Sequence, residues 1–334
     1  MINPPYSAAA DRYDTGMKYE RCGKSGLLLP RISLGLWHNF GDVDTLANSR
    51  DMLHFAFDNG ITCFDLANNY GPSYGSAEET FGRIMQTSFK PYRDEMVITS
   101  KAGYDMWPGP YGNWGSRKYL FASLNQSLRR MNLEYVDIFY SHRFDPETPI
   151  EETLQALVDI VRQGKALYIG ISRWPYEASQ LAYDYLAARD VPCLIYQGRY
   201  NMIDRDVEKT GILRQAAENG VGFTAFSPLE QGILTDRYLQ GVPEGSRASK
   251  GKFLRPDMIT PELVEKLKKL NAIAARRGQT LAEMSLAWLL KDSSVTSVIV
   301  GSSSVKQLGD SIKCLANTSF SEEELTDIDR ILLN

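Results

Sequence analysis

Histidine and cysteine are scarce in this chain, with three and four copies in 334 residues. His38, His54 and His142 form no His-x-x-x-His or comparable ligand pair, so no dedicated metal centre is expected. Cys22, Cys63, Cys193 and Cys314 show no paired spacing, which excludes a disulfide framework and suits reduced thiols in a cytosol. No apolar run approaches the roughly 20 residues that cross a bilayer. Residues 1–14 have neither a basic start nor an apolar signal core, so a cytoplasmic location is expected, without membrane association. The 37 basic and 41 acidic residues leave a net charge of −4, which argues against nucleic-acid binding. A Gly-x-Gly-x-x-Gly turn and a Gly-x-Ser-x-Gly elbow are both missing, which removes the Rossmann mode of dinucleotide binding and the hydrolase nucleophile.

What the chain does have is a regular alternation of apolar runs and amphipathic stretches. Strand-like runs fall at residues 31–36, 61–65, 96–101, 136–141, 166–171, 193–196, 222–226 and 296–300. Between them lie helical stretches at 49–59, 76–85, 117–131, 151–163, 176–188 and 209–219. In the third of these Leu120, Leu124, Leu128 and Met131 recur at helical spacing. Eight strand–helix units in one domain predict an α/β fold, a (β/α)8 TIM barrel, with a doubly wound open sheet as the alternative. Residues 1–334 read as that single domain, 1–17 being an N-terminal extension. Long insertions at 104–116 and 230–255 are placed where active-site loops would be.

Polar residues follow strand after strand: Asp65, Lys101, His142, Ser172, Gln197, Ser227 and the turn Gly301-Ser302-Ser303. In a barrel these converge on the C-terminal face. Asp65, Tyr70, Lys101 and His142 together can stabilise, orient and protonate a carbonyl whose carbon receives a hydride from another donor, which makes carbonyl reduction the leading expectation. The tyrosine hydroxyl protonates the developing alkoxide, a nearby ammonium lowers the tyrosine pKa, the carboxylate holds that ammonium, and the imidazole orients the carbonyl. Each also has an ordinary reading, Lys101 with Asp65 as a structural ion pair and His142 as a packed core residue; their joint occurrence at successive strand ends favours chemistry. A rival pairing of Asp65 with Glu230 for glycoside hydrolysis leaves Lys101 without a role.

The segments Phe64-Asp65-Leu66-Ala67-Asn68-Asn69-Tyr70-Gly71, Gly170-Ile171-Ser172-Arg173-Trp174 and Phe226-Ser227-Pro228-Leu229 resemble those of the aldo-keto reductases. Residues 34–41 and 101–112 resemble the branch of that family that reduces L-glyceraldehyde 3-phosphate and is related to the voltage-gated potassium-channel beta subunits. The resemblance implies the same four catalytic roles, a bound NADP(H), a small aldehyde substrate and a homo-oligomer, tetrameric or octameric. At the cofactor it implies Trp37, Asp65, Arg173, Ser227, Pro228, Leu229, Gly232, Arg237, Arg247 and Ser311. Ser172 and Gln197 can hydrogen-bond a carboxamide and Phe226 offers a flat face for a ring. Gly301 and Ser303, opening a helix through Gln307, suit a phosphate, although such a turn also reads as a simple N-cap. Trp37, His38, Tyr70, Trp107 and Arg143 are expected at the substrate, with Lys118 and Arg143 as candidate phosphate contacts. A regulatory subunit that only holds NADP is the alternative. His142 argues against it, because the channel subunits carry Asn at the matching position.

Overall fold

Six consecutive buried residues, Val136-Asp137-Ile138-Phe139-Tyr140-Ser141, form a strand in the computed structural model, where β-branched and aromatic side chains suit burial on both faces. The structure describes residues 6–243 and 254–333. A short antiparallel hairpin, β1 (Tyr19–Arg21) and β2 (Leu28–Pro30), precedes the barrel. The barrel strands are β3 (Ile32–Gly35), β4 (Cys63–Asp65), β5 (Val97–Ala102), β6 (Val136–Ser141), β7 (Ala166–Ser172), β8 (Cys193–Arg199), β9 (Gly222–Phe226) and β10 (Ser297–Val300). They pair in parallel in chain order, and β10 closes on β3 with Val298 opposite Ile32. This is the predicted (β/α)8 barrel.

Around it run α1 (Leu46–Asp58), α2 (Ser76–Ile84), α3 (Arg117–Met131), α4 (Ile150–Arg162), α5 (Tyr176–Ala187), α6 (Asp206–Lys209), α7 (Ile212–Glu218), α8 (Pro261–Arg276), α9 (Leu281–Leu289), α10 (Val305–Ile312) and α11 (Glu322–Leu333). Helix α3 shows why these segments are helical. Ser116 caps its start by accepting from the Tyr119 amide, Asn132 ends it in the left-handed conformation, and Leu120, Leu124, Leu128 and Met131 face the core. Each such buried side chain contributes about 1.5–3 kcal/mol.

Four expectations are corrected. The helix predicted over 209–219 is two, because Gly211 at φ 80° breaks the chain between α6 and α7. Helix α1 starts three residues earlier than predicted, since Thr45 rather than a later residue caps it through the Asn48 amide. Strand β8 runs on to Arg199, because Gln197, Gly198 and Arg199 still pair with Thr224, Ala225 and Phe226. The hairpin and the helices α8, α9 and α11 are additions, although Thr280 and Glu283 spell a capping box before α9.

The hairpin closes the end of the barrel opposite the catalytic residues. Buried Cys22 and Leu29 pack there with Cys63, Val97, Ile138, Tyr140, Leu194 and Ile195. Gly23 is needed at that approach, since a Cβ there would lie 2.1 Å from the Gly220 carbonyl oxygen. The described part of the N-terminal extension packs on the barrel exterior, with Tyr6 bonded to Asp58 at 2.7 Å and its ring stacked on His54. Among the described residues no helix is long and apolar enough to cross a membrane.

Candidate active site

Register builds the site. Asp65, the last residue of β4, lies opposite Thr99 on β5, and Lys101 shares the face of Thr99 because side chains alternate along a strand. Both therefore reach Asp65: the Thr99 hydroxyl donates to Oδ1 at 2.9 Å and the Lys101 Nζ donates to Oδ2 at 2.6 Å. From β8, Gln197 donates its Nε2 to the same Oδ1 at 2.9 Å. Gln197 thus reaches the site by holding Asp65. Lys101 also donates to the Leu66 carbonyl at 2.6 Å and to the Tyr70 hydroxyl at 3.3 Å. Lys101 and Asp65 are only 0% and 3% exposed, so their charges meet away from water.

The electrostatics reverse one expectation. Burial lifts the Tyr70 phenol well above 10.0, and the charges of the Asp65 carboxylate and of the Tyr104 phenol group add to it. The predicted lowering by Lys101 does not prevail, because Asp65 offsets the ammonium and desolvation penalises the phenolate. Tyr70 accordingly rests as a phenol, the form that can donate a proton. Burial also pulls Lys101 down, opposed by Asp65. His142, next to Tyr70 at 5.9 Å and Tyr104 at 4.8 Å between ring centres, is held well below 6.5 by burial and then by Lys101, Arg173 and Arg143. Its Nδ1 is buried with no hydrogen-bond partner.

A cleft of about 680 Å³ opens from Tyr70 along the C-terminal face. Such a volume is in the range of small-molecule sites. Of the expected cofactor and substrate residues, Trp37, His38, Asp65, Tyr70, Phe226, Ser227, Pro228, Leu229, Gly232, Arg237, Gly301, Ser303, Gln307 and Ser311 line it. A Cβ on Gly232 or Gly301 would meet no atom within 4 Å, so both backbones border open space that a ligand can approach closely. Sequence reasoning missed Asn39, Gln231, Glu283, Lys306 and Asp310 in the lining. Lys306 and Asp310 carried a readable signal, since residues 306, 307, 310 and 311 recur at helical spacing on one face of α10.

Other expected residues stand outside that lining. Ser172 is buried at the end of β7, Gln197 is buried within β8, and Arg173 is exposed just after β7 with a left-handed φ of 56°. Trp107 packs its ring against Tyr119 at 5.2 Å. Arg143 donates to the Gly103 carbonyl and to Asn113 Oδ1, each at 2.7 Å, and lies over the Trp114 ring at 3.7 Å. Its guanidinium is committed to pinning the 104–116 loop. Lys118 sits over the Tyr111 ring at 5.2 Å. Arg247 lies outside the described residues. Ser304 is an N-cap, accepting from the Gln307 amide at 3.3 Å, while Ser303 donates its hydroxyl to Gln307 Oε1 at 2.8 Å. Glu230 is 4% exposed and paired with Arg199, and Asp65 is held by Lys101, so neither is a free carboxylate for glycoside hydrolysis. Among the described residues no cluster of His, Cys, Asp and Glu can hold a metal ion.

Comparison with known proteins agrees with this geometry. The model of the Aldo/keto reductase family matches residues 31–333. The chain is 55% identical to L-glyceraldehyde 3-phosphate reductase of Escherichia coli O157:H7 over 327 residues, 97% of this chain and 94% of that protein. It is 54% identical over the same shares to the L-glyceraldehyde 3-phosphate reductase of Escherichia coli strain K12. The chain, a closed parallel barrel with its polar strand ends gathered at one mouth, belongs to the aldo/keto reductase family and is an oxidoreductase.

Proposed function

We propose that the protein reduces short aldehydes, glyceraldehyde 3-phosphate and methylglyoxal among them, to alcohols, with NADPH as the cofactor. One observation carries the reading: Lys101 bridges the Asp65 carboxylate and the Tyr70 hydroxyl beside an open cleft, so a proton donor stands where a carbonyl oxygen can rest. The family generally uses a nicotinamide cofactor, which when bound in its reduced form supplies a hydride. The residues lining the cleft fit such a group. Phe226 offers a ring face, the open backbones of Gly232 and Gly301 admit close approach, and Ser303 with the start of α10 favours phosphate. Arg237, Lys306 and Lys313 stand on that wall beside Asp236, Glu283 and Asp310, with both lysines paired to Asp310 at 2.7 Å, so a preference for NADPH over NADH requires these lysines to turn from Asp310 to the extra phosphate.

The chain's own groups do the rest. The Tyr70 hydroxyl gives its proton to the oxygen as negative charge develops there. Lys101 stabilises the phenolate that results, and Asp65, fixed by Thr99 and Gln197, keeps the ammonium in place. A neutral His142 orients the carbonyl by hydrogen bonding. Homo-oligomer formation and a cytoplasmic location belong to the same reading; light scattering on the purified protein tests the first.

The test mixes purified protein with NADPH and either methylglyoxal or DL-glyceraldehyde 3-phosphate, following loss of reduced cofactor. Turnover that disappears in Tyr70→Phe supports the reading. Cofactor binding without turnover across short aldehydes overturns it in favour of a regulatory subunit. NADH supporting turnover as well as NADPH overturns the cofactor preference alone. Arg143→Ala, measured with phosphorylated and neutral aldehydes, decides whether its tethered charge helps select an anionic substrate.

A further inference from the structure

The wall of the cleft after β9 is built from backbone in an unfavourable region. Ser227, Glu230 and Gln231 have φ of 54°, 44° and 56°, values that side-chain-bearing residues seldom adopt. Residues 226–229, 231 and 232 line the cleft. Glu230 alone turns away from it and is buried.

It turns into a polar knot at the end of β8. Asn201, fully buried, donates its Nδ2 to Glu230 Oε2 at 2.7 Å and to the Ser227 carbonyl at 3.0 Å. The Asn201 Oδ1 accepts from the amides of Ile203 and Asp204 at 2.9 and 2.7 Å, so every polar atom of that side chain is used. Arg199 donates its Nε to Glu230 Oε2 at 3.3 Å and its terminal nitrogen to Oε1, and it also pairs with Asp204 at 3.1 Å. The β8 and β9 strands pair as far as Arg199 and Phe226, and this knot spans the gap where they part.

We propose that Glu230, Asn201 and Arg199 form a latch that holds the 227–232 wall in its left-handed conformation and so sets how long the nicotinamide cofactor stays bound. The three are positioning residues, because they touch the wall and not the reacting atoms. The inference rests on the reading that this cleft takes that cofactor. A strained segment relaxes when its tether is cut, and a relaxed wall must be ordered again at each binding event. The latch thus acts on affinity and release, whereas Lys101 stands in β5 and Tyr70 on the loop after β4, strands that do not pair with β8 or β9.

The experiment uses full-length Glu230→Ala and Arg199→Met, the second as a milder variant at a half-exposed side chain should the first fail to fold. Binding and release of NADPH are read by protein fluorescence and stopped-flow displacement, and backbone exchange by hydrogen–deuterium exchange without cofactor. Cutting the latch is expected to weaken NADPH binding about tenfold or more, mostly through faster release. Amides of residues 227–232 should exchange about tenfold faster, and KM for NADPH should rise with kcat changed less than about twofold. Glu230→Gln, which keeps the Asn201 contact, should recover part of the loss. Asn201→Ala combined with Glu230→Ala should cost less than the two separately. Unchanged exchange in folded variants overturns the latch. Faster exchange with unchanged NADPH affinity and release overturns its role in cofactor binding. Failure of the wild type itself to bind NADPH overturns the functional reading, and this proposal with it, while the exchange result stands apart.

Discussion

Lys101→Met separates what the buried ion pair does for stability from what it does for chemistry. The Lys101 Nζ and Asp65 Oδ2 are 2.6 Å apart at sites almost closed to water. At an effective dielectric of about 20, unit charges at that separation attract by about 6 kcal/mol, against a desolvation cost of similar size. Removing only the lysine leaves the desolvation of Asp65 uncompensated except by the Thr99 and Gln197 bonds. The expected loss is about 3–5 kcal/mol. Adding Asp65→Asn removes the stranded charge and keeps an oxygen to accept from Thr99 and Gln197, so Asp65→Asn/Lys101→Met should regain at least half of that loss. Aldehyde reduction should stay depressed by roughly 10²–10⁴ in both variants, because Tyr70 has lost its cation. Urea unfolding followed by circular dichroism measures the first quantity and steady-state cofactor oxidation the second. A single variant within about 1 kcal/mol of wild type would show that the pair is not desolvated as this geometry requires. Activity near wild type in the double variant would refute the role of the ammonium.

The pH response follows from the raised Tyr70 and the lowered His142. With its phenol held well above 10.0, Tyr70 stays protonated, so the reduction rate should show no falling limb between about pH 7 and about pH 9. His142 is depressed below 6.5, so as pH falls below 6.5 the unfolded chain takes up a proton that the folded one refuses. Stability contributed by the neutral imidazole is therefore complete above 6.5 and declines below it; urea midpoints for wild type and His142→Asn across that range check the sign. Burial pushes Cys63, Cys193 and Cys314 up to about 12 and Cys22 higher still, so a thiol reagent at about pH 8 should modify none of them until denaturant exposes all four. Arg130 pairs with Glu78 at 2.7 Å, and Glu78 is 0% exposed beneath Ser100 of β5, so Arg130→Met should cost about 3–5 kcal/mol and Arg130→Met with Glu78→Gln distinctly less. Equal losses would show that the buried carboxylate is not what the arginine holds.

Chain-local information carried the architecture. The alternation of apolar runs with helical periodicity is a property of neighbouring residues, so the β6 run and α3 have the boundaries predicted for them. The placement of Asp65, Lys101 and His142 at or near strand ends was equally legible, since a parallel barrel gathers such ends at one face. Where local signals compete, sequence reading lost precision. Gly211 looked compatible with one helix but takes a left-handed φ, and Gln197 looked like a loop residue but stays in β8 through pairing with β9.

The partners of each side chain were decided only in three dimensions. Arg143 was an open cation in the sequence and is tied down by Gly103, Asn113 and Trp114 in the fold. Glu230 read as a possible catalytic carboxylate and became the buried anchor of the cleft wall. The Tyr70 phenol moved up rather than down, because its pKa depends on how desolvation weighs against two opposed charges brought from β4 and β5. By itself the sequence determined which chemical groups exist and which strand ends carry them, since periodicity and turn chemistry act over a few residues. Tertiary structure alone decided which charges meet out of water, because Coulomb and desolvation energies depend on distance and burial across the whole barrel.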